Sequence, residues 1–114
     1  MNKVLICGTR TKESYKELVF DTLKCHLHKD DIIIEGCCKN SADEYAEEYA
    51  RENNIEIEHF PADSGNYLKR NIEMVNDSNI VIAFWDGWSY GTAHTIATAV
   101  MKNKTVVVVK YDRR

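Results

Sequence analysis

Two short stretches of the chain concentrate the residue types that hold phosphate. The first is Gly8-Thr9-Arg10-Thr11, directly behind a short apolar run. A glycine there permits a tight exit from a strand. The following amides and the Thr9 hydroxyl can face an anion, and Arg10 can grip a phosphate through two parallel N–H bonds. A plain turn with a solvated arginine is the competing account. The second stretch is Trp85-Asp86-Gly87-Trp88-Ser89-Tyr90-Gly91-Thr92. Gly87 and Gly91 free the backbone to approach a ligand, and Ser89 and Thr92 add hydroxyls. A helix opening at Thr92 offers unpaired amides and the positive end of its dipole, which together make an anion site. Trp85, Trp88 and Tyr90 put three large aromatics within six residues. Stacking on a base or sugar is one use for them, and burial between subunits is the other.

Further candidates flank these loops. Glu35-Gly36-Cys37-Cys38-Lys39-Asn40-Ser41-Ala42-Asp43 follows a second apolar run, and Gly36 and Ser41 are its candidate ligand contacts. Pro61 to Asn66 follows a third strand, and Arg70 on the next helix is a second candidate phosphate clamp. Asp86 is the candidate base or nucleophile for a hydrolytic reaction. His94, in the first turn of the last helix, is the candidate acid, a base contact or a cap. His26, His28 and His59 have no suggestive partners and read as surface residues. Neither a Ser-His-Asp triad nor a metal site can be argued from the spacing. The four cysteines, Cys7, Cys25, Cys37 and Cys38, form no C-x-x-C pair. Cys7 and Cys25 read as core packing, whereas Cys37 and Cys38 stand in a ligand loop where a reactive thiol is conceivable.

The elements that must position these residues alternate from end to end. Val4 to Cys7, Ile32 to Ile34, Asn79 to Phe84 and Thr105 to Val109 are apolar runs without alternation, as strands covered on both faces should be. Ile55 to Phe60 alternates and ends at Pro61, so it reads as an edge strand. Between the strands lie four helical stretches. Lys12 to His28 carries Tyr15, Val19, Leu23 and Leu27 on one face. The next starts at Ser41, with Glu44 completing a capping-box pattern, and runs to Asn53. Tyr67 to Val75 directs Leu68, Ile72 and Val75 inward, and Thr92 to Met101 does the same with Ile96, Ala97, Val100 and Met101. The expectation is an α/β Rossmann-like three-layer domain over residues 1–114, with a five-stranded parallel sheet in the order 3-2-1-4-5. In such sheets ligands bind beyond the carboxyl ends of the strands where the winding reverses, here between the first and fourth.

In order along the chain come Val4-Leu5-Ile6-Cys7-Gly8-Thr9-Arg10, then Glu35-Gly36 with Ser41-Ala42-Asp43, then Arg70-Asn71-Ile72-Glu73-Met74. Ile82 to Gly87 and Gly91-Thr92-Ala93-His94-Thr95-Ile96 complete the set. Together these segments resemble the small stand-alone bacterial and phage members of the SLOG superfamily, the YpsA-related Rossmann-like proteins. The resemblance implies a nucleotide-sensing or nucleotide-processing pocket. Carried over by position, Gly8, Thr9, Arg10, Gly36, Ser41 and Arg70 would line it, as would Asp86, Gly87, Ser89, Gly91 and Thr92. Some relatives, the cytokinin-activating phosphoribohydrolases, cleave the N-glycosidic bond of a nucleoside monophosphate. They open the fourth-strand loop with proline-glycine-glycine, where this chain has Trp85-Asp86-Gly87. Their catalytic glutamate falls at Thr95, and a threonine cannot stabilise an oxocarbenium-like centre as a carboxylate can. Asp86, Glu35 and Asp63 are the acids left to replace it. The segment after Pro61 is short beside that of larger relatives, which implies an open pocket or one closed by a second subunit.

Composition bounds the rest. The formal charge is −3 and no Lys/Arg cluster stands out beyond Lys69-Arg70 and Arg113-Arg114, so a nucleic-acid partner is not expected. No apolar run approaches the roughly 20 residues that span a bilayer. The first residues read as a strand rather than a signal peptide, and a cytoplasmic location is the expectation. Three readings follow. The leading one is a module that binds or senses a nucleotide-derived ligand, needs no further cofactor and assembles as a homo-oligomer. The alternative is a hydrolase of N-glycosidic or phosphoester bonds, with Asp86 as base or nucleophile, Arg10 and Arg70 on phosphate, and His94 as acid. The third is an interaction protein with a vestigial pocket.

Overall fold

The computed structural model describes residues 1–62 and 65–111, so Asp63 and the Arg113-Arg114 pair lie outside the described residues. The elements run β1 (Lys3–Gly8), α1 (Lys16–His26), β2 (Ile32–Glu35), α2 (Ala42–Asn53), β3 (Glu56–His59), α3 (Tyr67–Asp77), β4 (Ile80–Trp85), α4 (Tyr90–Met101) and β5 (Thr105–Lys110). All five strands are parallel and lie in the order β3-β2-β1-β4-β5, as the alternation predicts.

The pleat of β1 feeds two cores. Val4 and Ile6 pack with Val19 and Leu23 of α1 and with Ala46 and Tyr49 of α2. Leu5 and Cys7 pack with Met74 and Val75 of α3 and Ala99 of α4. The sheet is therefore sandwiched, which is why its central strands are apolar on both sides. Each fully buried aliphatic or aromatic side chain here contributes about 1.5–3 kcal/mol.

Several local expectations need correction. The first helix starts at Lys16, not Lys12, because the hydroxyl of buried Tyr15 is tied down by donating to Thr9 O at 2.6 Å and accepting from Ala42 N at 2.8 Å. It ends at His26, where Leu27 turns to an extended backbone. Ser41 does cap α2, its Oγ accepting from Asp43 N. On α3 the inward residues are Asn71, Met74 and Val75, whereas Leu68 and Ile72 are exposed. On α4 they are Thr92, Thr95 and Ala99, and Ala97, Val100 and Met101 face outward. α4 carries apolar side chains around much of its circumference, so periodicity alone does not select its inner face, whereas on α3 the apolar arc is wider than the buried contact and leaves Leu68 and Ile72 at its outer margin. β5 was expected to be buried and is instead an exposed edge, because among the described residues no strand pairs with its outer side. Cys25 is exposed rather than packed.

Candidate functional site

The loop after β1 leaves the sheet at a position with no room for a side chain. A Cβ on Gly8 would lie 2.7 Å from Tyr15 Oη and 2.9 Å from both Ala42 Cβ and Phe84 O. Thr9 is buried. Its N–H donates to Phe84 O at 2.9 Å, its Oγ1 accepts from Asp86 N at 3.3 Å, and its hydroxyl lies 2.8 Å from Ser89 Oγ, to which it donates when the Ser89 proton is directed to Asp86. Asp86 Oδ1 in turn accepts from Trp88 N, Ser89 N and Ser89 Oγ. Gly87, at φ +88°, makes the turn possible, and the Trp85 indole closes it by donating to Ser89 O at 3.0 Å. Thr9, Asp86 and Ser89 thus form the frame that joins the two loops. A carboxylate oxygen already accepting three hydrogen bonds is held for structure before chemistry.

The open space lies to one side of this frame. A hollow of about 500 Å³ is lined by Arg10, Gly36, Cys37, Cys38, Tyr67 and Arg70, among others. A smaller one of about 90 Å³ is lined by Gly8, Asp43, Asn71, Gly91, Thr92 and Thr95, again with Cys38 and Arg70. The two hollows share Cys38 and Arg70 in their walls, the larger lying by the ends of β2 and β3 and the smaller by the end of β1 and the start of α4. Of the residues expected to hold a ligand, Arg10, Gly36 and Arg70 line the larger part, and Gly8, Arg70, Gly91 and Thr92 the smaller. Ser41 is fully buried as the α2 cap. Gly87 and Trp88 line neither part, and Trp88 stands 86% exposed with Tyr90 at 73%. Tyr67 is the aromatic residue on the larger hollow. Because α4 starts at Tyr90, His94 falls beyond the first turn; it lines neither hollow, and its Nδ1 is buried without a hydrogen-bond partner.

Arg70 is fixed rather than solvated. Its Nη1 donates to Gly36 O at 2.7 Å and Phe60 O at 3.3 Å, and its Nε to Asn71 Oδ1 at 3.2 Å. The guanidinium lies so close over Gly36 that a Cβ there would be 2.5 Å from Nη1. Arg10 is exposed, and its Nη2 donates to Cys38 Sγ at 2.9 Å. Thr11 N donates to Asn40 O at 3.0 Å, which ties the arginine's loop to the one after β2. Arg10 from the loop after β1 and Arg70 from α3 thus face one hollow, both braced against the loop after β2.

Sequence reasoning passed over two features of this region. Asp43 looks like an ordinary acid at a helix start. Its Oδ2 instead accepts from Gly36 N at 3.1 Å and Cys38 N at 3.2 Å, and burial, reinforced by the charge of Glu35, pushes its carboxyl up to about 7. Those two N–H bonds and Arg70 oppose the rise without cancelling it. His59, expected to be partnerless, faces Glu35 Oε2 at 3.0 Å, because the β2–β3 register sets Glu35 opposite His59. Only strand pairing could reveal that contact. Cys37 takes a left-handed backbone (φ +62°), a conformation non-glycine residues adopt at a cost. Its N–H and its Sγ both reach Glu35 Oε2, at 3.2 and 3.3 Å. Loss of water around the sulfur and the nearby Glu35 charge push its thiol up to about 12, which is against an activated thiolate.

The family model described as YAcAr: YspA, cpYpsA-related SLOG family matches residues 2–67. That stretch is more than half of the 114-residue chain and takes in the Arg10 loop, the Gly36–Asn40 loop and Asp43. No curated protein and no solved structure matches the chain.

Proposed function

The chain belongs to the YspA, cpYpsA-related SLOG family, and on that premise we propose that it binds a nucleotide or nucleotide-derived ligand in the cleft beyond β1, β2 and β3. The observation that carries the reading is the pair Arg10 and Arg70 on one hollow of about 500 Å³. That volume falls within the usual range of small-molecule sites. Phosphate sits between the two guanidinium groups, and the base lies against Tyr67, whose ring is 5.7 Å from Arg70 Cζ. Gly91 and Thr92 extend the contact toward the start of α4. No further cofactor is needed for binding. The protein works in the cytoplasm, where such ligands are made and used; among the described residues no helix is long and apolar enough to cross a membrane.

Calorimetric titration with adenosine and guanosine monophosphates and ADP-ribose tests this. One ligand per chain is expected. Arg10→Ala should weaken it about tenfold or more, since a hydrogen bond to a charged group contributes about 1.5–3 kcal/mol. Arg10 is exposed, so the variant should fold normally. A wild-type protein that binds none of these ligands would sink the proposal.

A second reading, hydrolysis of the bound nucleotide, is favoured by Asp43 more than by Asp86. Asp43 lines the inner hollow beside Thr95 and Arg70, and a carboxyl raised to about 7 is suited to proton transfer at neutral pH. Release of free base or phosphate from the bound monophosphate, abolished by Asp43→Asn, would support it.

The same proposal includes self-association. Leu68 and Ile72 on α3 and Val100 and Met101 on α4 are exposed, Met101 at 82%, and α3 packs directly against α4. Sedimentation velocity should show a dimer or larger species that Met101→Asp shifts toward monomer. A wild-type protein that remains monomeric at high concentration would refute the assembly.

A further inference from the structure

A second cluster of reactive side chains lies at the outer end of the β2–β3 pair. Glu35 Oε2 is 3.0 Å from His59 Nδ1 and 3.3 Å from Cys37 Sγ, and Cys37 Sγ is 3.7 Å from His59 Nδ1. Zinc bonds of about 2.0–2.1 Å to oxygen and nitrogen and about 2.3 Å to sulfur place neighbouring tetrahedral ligands about 3.3–3.6 Å apart. The three atoms therefore already stand close to three corners of a zinc tetrahedron, all within 4.8 Å of one another.

A second observation points to the same ligand. Glu35 is fully buried, and its Oε1 has no hydrogen-bond partner. A buried carboxylate oxygen left in that state costs about 1–3 kcal/mol or more. Such an atom calls for an ion or water. Arg70 Nη1 and Nε are committed elsewhere, donating to the carbonyls of Gly36 and Phe60 and to Asn71 Oδ1. A hollow of about 230 Å³ lined by Glu35, Cys37, Cys38, Lys39, Glu44 and Glu47 borders two of the three residues.

We propose that Glu35, Cys37 and His59 bind one zinc ion, with the fourth position open to water or to a ligand entering the adjoining hollow. Three protein ligands with one open position is the arrangement of catalytic rather than purely structural zinc. The mixed carboxylate, thiolate and imidazole set selects zinc and its transition-metal neighbours over magnesium and calcium, which prefer oxygen alone. A dication held by one carboxylate and one thiolate also leaves the site without net charge. Along the chain nothing marks these residues as a set, since Cys37 and His59 are 22 positions apart; parallel pairing of β2 with β3 brings them together. The site stands independently of nucleotide binding, although Cys37 also lines the larger hollow.

The test uses untagged, chelator-treated full chain titrated with cobalt(II) and then with zinc. One cobalt per chain is expected, with a thiolate-to-cobalt charge-transfer band that zinc displaces. Zinc should also raise the melting temperature, as a ligand of the folded state does. Cys37→Ser should remove the band, and His59→Ala should weaken binding at least 100-fold; both change exposed residues and spare the buried glutamate. Cys25→Ser, on an exposed thiol of α1, should change nothing. A wild-type protein that takes up no cobalt would overturn the proposal, as would a band that persists in Cys37→Ser.

Discussion

Replacing Gly8 with alanine should cost the fold about 3 kcal/mol, near the upper end of what overpacking a tight site does. The three atoms that a Cβ would strike are all committed. Tyr15 Oη bridges Thr9 O and Ala42 N, Ala42 opens α2, and Phe84 O accepts the Thr9 N–H. None can retreat without breaking a buried hydrogen bond or moving a strand. Gly91→Ala is the control from the same cleft. Nothing lies within 4 Å of its Cβ position, and a helical alanine is preferred to glycine, so the change should be neutral or stabilising by up to about 1 kcal/mol. Urea midpoints at unchanged m-value report both. For a domain of this size the Gly8 variant should melt about 10 °C or more below wild type. Equal midpoints for wild type and Gly8→Ala would mean that the Tyr15 brace does not set the geometry of the loop.

The second large effect is on pH dependence. Asp43 is raised from an ordinary carboxylate to about 7 in the folded protein, first by burial and then by Glu35. Below the unfolded value, near 3.8, the carboxyl is protonated in both states and exerts no penalty. Between there and about 7 the unfolded chain has released its proton while the folded chain still holds it. The folded state then binds more protons, so this group's contribution to stability falls as pH rises across the window. A shift of this size corresponds to a few kcal/mol. Asp31 acts in the opposite direction. Backbone hydrogen bonds from His28 and Asn2 outweigh the upward push of burial and hold it low, so its contribution is lost only as pH falls through the acid range. The informative quantity is therefore the difference between wild type and Asp43→Asn, in which Asp31 cancels. Asparagine can still accept from Gly36 N and Cys38 N, so the two proteins should be nearly equal at pH 4. The variant should become progressively more stable than wild type up to pH 7–8. A flat difference across that range would show that Asp43 ionises normally.

The strand–helix alternation and the sheet order were legible in the residues because a doubly covered parallel strand has to be apolar on both sides. Ile32-Ile33-Ile34 and Ile80 to Phe84 are such runs. Alternation with a terminal proline likewise marked β3 as an edge. The faces of α3 and α4 were legible only in part: Val75 is buried and Ile96 packs on the core as expected, but Leu68, Ile72, Ala97, Val100 and Met101 are not inward. Their inner contacts use Asn71, Thr92, Thr95 and Ala99, which do not stand out against exposed Leu68, Ile72, Val100 and Met101. Arg10, Gly36, Arg70, Gly91 and Thr92 were candidates by type and by position at strand and helix ends; Arg10, Gly36 and Arg70 line the larger hollow, and Arg70, Gly91 and Thr92 the smaller. The framing role of Thr9, Asp86 and Ser89 was hidden, because a hydroxyl or carboxyl in a loop reads the same whether it faces a ligand or another loop.

The sequence alone thus determined the architecture and the edge of the sheet at which the candidate residues gather, since periodicity and chain direction dictate both. Tertiary structure decided which groups meet. Register set Glu35 against His59, burial changed the acidity of Asp43, and the carbonyls of Gly36 and Phe60 turned Arg70 into a fixed cation. Each depends on distances between residues far apart in the chain, and on the loss of water around them, which residue type and spacing do not encode.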